Sequence, residues 1–178
     1  MTGIHDVPAS FVREQMDAVF SDLNVKAVKI GMLFNAEIIM AVAHGLKAHD
    51  CQSVVLDPVM IATSGDPLLV DEAVSAMQEH LFPLVDLITP NLHEAAHLTG
   101  LDVATNDLDM ELQAAALLKL GAKAVLVKGG HSAGALARDF ILMAMSARGS
   151  RLNGLKPTTR TERVARFHLL LQQGLLRI

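Results

Sequence analysis

Three short apolar runs, each breaking off into a small polar cluster, constrain the fold of this chain more than any other feature. Val54-Val55-Leu56 runs into Asp57-Pro58-Val59-Met60, and Leu87-Ile88 into Thr89-Pro90-Asn91-Leu92-His93-Glu94. Val125-Leu126-Val127 runs into Lys128-Gly129-Gly130-His131. Amphipathic stretches of helical period lie between them. Strand, polar end and helix in repetition is how an open parallel sheet lines up a site at the carboxyl ends of its strands. The clusters carry two carboxylates, an amide and a lysine, a set suited to holding magnesium and phosphate.

The rest of the chain extends this pattern. A first helix is expected from about Pro8, with Val12, Met16, Val19, Phe20 and Leu23 as its buried face. Ala27-Val28-Lys29-Ile30 reads as a strand ending at Gly31-Met32, followed by a helix from Ala36 to about Lys47 with Ile38, Ile39, Val42 and Leu46 inward. Ser53 to Leu56 is a strand, followed by a turn-rich loop through Thr63-Ser64-Gly65-Asp66-Pro67 and a helix from Asp71 to His80. Asp86 to Ile88 is a strand, a helix opens at Asn91, and another spans about Leu108 to Leu120, closed by Gly121. Ala124 to Val127 is the last clear strand. Four strands alternating with helices imply a parallel sheet with right-handed crossovers.

Composition narrows the function classes. The 178 residues leave room for one domain with a sizeable core, and 51% apolar against 19% charged residues argues for a folded chain. With six Phe and no Trp or Tyr, that core is aliphatic. A net charge of −4, with no basic patch beside stacking aromatics, gives no reason to expect nucleic acid as a partner. No apolar run is long enough to span a membrane and no signal pattern opens the chain, so a cytoplasmic setting is expected. The single cysteine, Cys51, fits a reducing compartment and reads as a small structural thiol.

The polar clusters each allow two readings. Asn91 and Glu94 have the spacing of a helix capping box, and equally of a helix N-terminus that offers N–H groups to an anion while Glu94 carries a metal-bound water. Asp57 at a strand end either starts a turn or serves as a metal-binding carboxylate. Lys128 before Gly129-Gly130 either projects into solvent or reaches phosphates. His93 and His97 stand four apart on one helix without an evident third ligand, and read as surface residues.

The motifs together resemble one family. From Gly3 to Phe140 the chain is similar to the middle of the hydroxymethylpyrimidine/phosphomethylpyrimidine kinases, thiamine-pathway members of the ribokinase-like superfamily. Val28-Lys29-Ile30-Gly31-Met32-Leu33 resembles the strand lining the pyrimidine pocket. Asp57-Pro58-Val59-Met60 with Ser64-Gly65 and Leu68-Leu69, then Thr89 to Ala95, then Val127 to His131, complete the series in the family's order. The resemblance implies an α/β ribokinase-like parallel sheet with helices on both faces. It implies that Met32 and Val59 touch the pyrimidine, and that Asn91 and Lys128 contact the phosphates of ATP. Asp57 and Glu94 would organise Mg2+. The implied reaction is phosphoryl transfer from ATP to the pyrimidine's hydroxymethyl group and then to the monophosphate. Pyridoxal kinases are related but less similar at the first two motifs, and a non-catalytic nucleotide- or pyrimidine-binding protein is the alternative from another class.

Two departures shape the expectations. The family's opening strand, its glycine-rich loop with an Asp that holds the substrate, and its Gln-Asn-Thr segment would all precede Met1. Its Gly-Thr-Gly-Cys anion hole occurs nowhere in the sequence. No catalytic residue is therefore assigned. Residues 1–140 read as an incomplete kinase domain, weak or inactive, with one edge or face of its sheet short of cover and prone to self-association. Residues 141–178 read as a non-family tail. There Arg148, Arg151, Arg160, Arg163, Arg166 and Arg177 accumulate, against Arg13 and Arg138 before. Codons for Thr158 to Ala165, read in a shifted frame that joins each third base to the next two, can spell Asn-Thr-His-Gly-Thr-Gly-Cys. This predicts a frameshift, in the gene or its sequencing, between about Phe140 and Thr158, with the residues beyond it poorly packed.

Overall fold

The computed structural model describes residues 7–51, 53–60, 69, 71–129 and 139–144. Ser64-Gly65, Leu68, Gly130, His131 and the tail from 145 onward lie outside the described residues. The described residues form five helices and five strands, in the order α1 (Ala9–Asp22), β1 (Val28–Ile30), α2 (Ala36–Ala48), β2 (Val54–Leu56), α3 (Asp71–His80), β3 (Leu87–Ile88), α4 (Leu92–Thr99), α5 (Asp107–Lys119), β4 (Ala124–Val127) and β5 (Phe140–Met143). The predicted elements are present, within a few residues at their ends. The helix boundaries follow local chemistry. Asn35 and Asn106 cap α2 and α5 by accepting the N–H of Ile38 and Asp109, and Gly100, at φ 70°, closes α4 in the left-handed conformation.

The sheet order is β1-β2-β3-β4-β5. The first four strands are parallel neighbours, as expected, with Val28 opposite Val54, Leu56 opposite Ile88 and Ile88 opposite Val125. The fifth corrects the expectation that β4 is the last strand. Phe140–Met143 returns antiparallel along β4, with Val127 opposite Phe140 and Ala124 opposite Met143. An antiparallel edge strand needs only a short connection, whereas a parallel one needs a crossover.

The registers sort the strand residues onto two faces, because side chains alternate along a strand. On one face lie Val28, Ile30, Val54, Leu56, Ile88, Val125, Val127, Phe140 and Leu142, and all of these belong to the core or pack against it. The core takes its helical share from Ile38, Ile39 and Leu46 of α2, Met77 of α3, Leu98 of α4, and Ala114 and Leu117 of α5. The opposite face carries Lys29, Val55, Asp57, Leu87, Thr89, Ala124, Leu126, Ile141 and Met143, none of which joins the main core cluster, although Leu87 and Ala124 are buried. Val55 and Leu126 are half-buried and Met143 is exposed. The described helices all contribute to the core on the first face, within the α/β ribokinase-like fold that the resemblance implied. A sheet whose order follows the chain, joined by right-handed crossovers, keeps every crossover on the same side.

The helix α1 is the outermost of these helices. Gly45 of α2 allows it to approach closely, since a Cβ there would sit 2.5 Å from Met16 Cε. Asp17 ties α1 to the end of α2 through His49 at 2.6 Å, while Arg13 on α1 itself holds the same oxygen at 2.9 Å, and Phe20 stacks on the His49 ring. The expected buried face of α1 is only half realised. Val12 and Met16 pack against the core, but Val19 and Leu23 are exposed, as is Phe11. Helical periodicity marks the apolar stripe correctly, but a stripe wider than the partner surface leaves its flank in solvent.

Candidate functional site

Every polar cluster that the sequence pattern marks sits at the carboxyl end of a strand. Met32 follows β1, Asp57 follows β2, Asn91 follows β3 and Lys128 follows β4. Backbone hydrogen bonds hold these ends in register. The Asp57 N–H donates to Ile30 O at 2.8 Å, that of Thr89 to Leu56 O at 2.9 Å, and that of Lys128 to Pro90 O at 2.8 Å. An isolated bridge between Asn91 and Lys128 carries the sheet one step past its regular strands.

This alignment assembles a charged group around Asp57. Lys128 Nζ donates to Asp57 Oδ1 at 2.7 Å, and the Thr89 hydroxyl donates to the same oxygen at 3.2 Å. Lys29 Nζ stands 3.5 Å from Oδ2. Burial pushes the Asp57 carboxyl up, but Lys128, Lys29 and the Thr89 hydroxyl outweigh it and hold the group below the ordinary aspartate value. Asp57 therefore stays ionised and oriented. Lys29 and Thr89 are not among the site residues that the sequence pattern marks. Their signal is positional: each shares the face of Asp57, Lys29 two residues behind it in the β1 register and Thr89 directly beside it on β3.

Asn91 and Glu94 form a complete capping box. Asn91 Oδ1 accepts the Glu94 N–H at 2.9 Å, and Glu94 Oε2 accepts the Asn91 N–H at 2.7 Å. The capping reading is thus realised, and Glu94 is only 4% exposed. Its carboxyl also accepts the backbone N–H of Met60, which fastens the segment after β2 to the start of α4. Burial raises the Glu94 carboxyl above the ordinary glutamate value and the Asp57 charge adds to this. The hydrogen bonds from Asn91 and Met60 and the Lys128 charge offset only part of it. Glu94 thus feels both Asp57 and Lys128, which places it beside the same charged group.

A raised carboxyl favours the protonated form in the folded state, so its ionisation costs stability as pH rises through the unfolded and then the folded value. We expect Glu94→Gln to raise the melting temperature near neutral pH. The gain should vanish in acid below the ordinary glutamate value of about 4.3. Thermal melts of both proteins across that range check this; a gain that is independent of pH would rule the account out.

Met32 and Val59 stand at the ends of adjacent strands. Met32 is 39% exposed, and Val59 is half-buried in a tight turn where its N–H donates to Asp57 O at 2.8 Å. Beyond β4, the Gly129 N–H donates to Asp139 Oδ1 at 3.1 Å, which ties the residue after Lys128 to the residue before β5. Of the sequence-read residues, the fold joins Asp57 to Lys128 directly, and Asn91 to Glu94. Met32 and Val59 lie on the β1 and β2 side of this group. His93 and His97 are exposed, as expected of surface residues. Among the described residues no group of three or more His, Cys, Asp or Glu side chains is arranged to hold a metal by itself.

The class follows from structural likeness: the chain has the α/β fold of the ribokinase-like kinases. The chain belongs to the phosphomethylpyrimidine kinase family, whose model matches residues 1–160. A hydroxymethylpyrimidine/phosphomethylpyrimidine kinase from Rhizobium meliloti is 54% identical over 140 residues, covering 79% of this chain and 52% of that protein. A crystal structure of phosphomethylpyrimidine kinase from Clostridium difficile superposes with a TM-score of 0.71 at 40% identity, over 79% of this chain and 60% of that one. The pyridoxal kinase from Staphylococcus aureus in complex with ADP superposes with a TM-score of 0.70 at 32% identity, over 80% of this chain and 52% of that one. The chain spans about half the length of the first of these relatives.

Proposed function

We propose that this chain carries the phosphate-binding and metal-binding part of an ATP-dependent hydroxymethylpyrimidine (phosphate) kinase of thiamine biosynthesis. The observation that supports it most is the ionised Asp57 held between Lys128, Thr89 and Lys29 at the carboxyl edge of the sheet. Phosphoryl transfer asks the protein for positioning and charge neutralisation more than for covalent chemistry. Lys128 would contact the phosphates of ATP, and the α4 N-terminus behind Asn91 would offer them its N–H groups and dipole. Met32 and Val59 would touch the pyrimidine.

Mg2+ suits the donor set in one specific way. It keeps several waters and takes one or two carboxylates together with substrate phosphates, rather than a closed protein cage. Asp57 supplies such a carboxylate. Glu94, engaged by two backbone N–H groups, would act through a metal-bound water. When bound, the ion would neutralise charge on the phosphates. Asp57 and Glu94 would orient it, and Lys128 would hold the phosphates against it.

The reading also divides the chain into a kinase region and a tail, expected at 1–140 and 141–178, with β5 carrying the sheet pairing on to Met143, and expects a cytosolic setting in which the Cys51 thiol stays reduced. The exposed Phe11, Val19, Leu23 and Met143 side chains favour self-association at high concentration. Because the sequence contains no Gly-Thr-Gly-Cys anion hole, nucleotide binding with little turnover is expected. An assay of the purified chain with ATP, Mg2+ and hydroxymethylpyrimidine tests this. Robust turnover would refute the inactive-fragment reading. A preference for pyridoxal over the pyrimidine would favour a pyridoxal kinase, the reading that the Staphylococcus aureus likeness keeps open. Absence of any nucleotide binding would end the kinase reading for this chain.

A further inference from the structure

The proposed function assigns Lys29 no role, yet its ammonium stands 3.5 Å from Asp57 Oδ2. It projects from the face of β1 that also carries Asp57 on β2, and the register places Val55 beside it and Asp57 one step further on. The two oxygens of Asp57 have different partners. Oδ1 accepts from Lys128 at 2.7 Å and Thr89 at 3.2 Å, both in hydrogen-bond contact. Oδ2 faces Lys29 at 3.5 Å, a looser contact of opposite charges. The Lys29 side chain is 50% exposed, against 19% for Asp57, so the lysine can leave for solvent at small cost while the carboxylate stays where the fold holds it.

We propose that Lys29 is a built-in counter-cation for the metal position, a positioning residue whose ammonium balances Asp57 Oδ2 in the metal-free protein and yields to a divalent ion. The inference rests on the reading of Asp57 as a metal ligand. It assigns the neighbouring lysine the task of setting how tightly the ion is held. Lys29 and the ion compete for the same oxygen. A divalent cation that arrives must displace the ammonium and then tolerate it nearby in solvent, and like charges within a few ångströms repel even through water. Lys128 differs in kind. It holds the other oxygen, at a shorter distance, and its place beside the α4 N-terminus suits a phosphate. Replacing Lys29 by a neutral side chain should therefore tighten divalent binding, whereas a change that merely damaged the site would weaken it.

The test is Mn2+ binding to the purified chain, followed by electron paramagnetic resonance, in the wild type and in the Lys29→Met, Lys29→Arg and Asp57→Asn variants. Lys29→Met should bind Mn2+ about tenfold more tightly, the scale of removing one nearby screened positive charge. Lys29→Arg should return close to the wild-type affinity, since it restores the charge. Unchanged or weakened binding in Lys29→Met, with the wild type still binding, overturns the role of Lys29 alone. Wild-type affinity in Asp57→Asn overturns the metal reading of Asp57 on which it rests. Absence of binding in all four proteins at millimolar Mn2+ overturns both.

Discussion

Replacing Phe82 by alanine should cost this fold about 3–5 kcal/mol, the range for emptying a large aromatic position in a packed core. Phe82 is fully buried, in the turn that follows α3 where its N–H donates to Met77 O, and it is surrounded by a core otherwise built from aliphatic side chains. It is the largest of the fully buried side chains among the described residues, so its removal should leave a sizeable cavity. Small domains have only about 5–15 kcal/mol of stability in total, so the loss would populate unfolded protein even without denaturant. Phe11→Ala is the control. Phe11 is 52% exposed on α1, and its removal should change stability by no more than about 0.5 kcal/mol. Urea denaturation followed by circular dichroism gives both numbers. Equal midpoint shifts for the two variants would mean that Phe82 is not packed as described.

The second large effect is expected at Asp57. Asp57→Asn keeps the shape of the side chain but removes the charge that Lys128 and Lys29 face. The two ammonium groups then lose their common counter-charge, and the metal position loses its carboxylate. The consequences for nucleotide run in opposite directions. Without Mg2+, ADP should bind somewhat more tightly to the variant, because the unpaired lysines attract its phosphates. With Mg2+, the gain in affinity that the metal brings to the wild type should fall by about 100-fold, or roughly 2.7 kcal/mol. Calorimetric titrations of ADP with and without Mg2+ measure each part. If Mg2+ strengthens ADP binding equally in both proteins, Asp57 is not the metal ligand.

Much of the site is legible in the sequence because it depends on local rules. Asn91 and Glu94 satisfy a spacing that the first helical turn imposes on any chain, and the capping box is present. Asp57, Asn91 and Lys128 can be aligned because each closely follows a short apolar run, and parallel strands bring such ends to one edge of a sheet. Lys29 and Thr89 are harder to see. They lie inside segments that the sequence marks, but no local spacing singles them out, and they reach Asp57 only through the register of three strands. The strand β5 carries a visible signal, the apolar run Phe140 to Met143, but it spans the change of texture read after Phe140, so the last strand is read one too early.

The α1 stripe shows the same limit in apolar terms. Periodicity identifies which side chains share a helical face, but it cannot say how far the partner surface extends, and so Val12 is packed while Val19 is exposed. What the sequence determined by itself was therefore what acts over a few residues: the element types up to β4, the Asn91–Glu94 cap, the polar strand ends and their order. The tertiary structure alone decided which oxygen of Asp57 each lysine faces, which face of the sheet receives the helices, and how deeply Glu94 is buried. Those depend on contacts between segments distant in the chain. Strand register and crossover handedness set such contacts, and a linear spacing does not encode them.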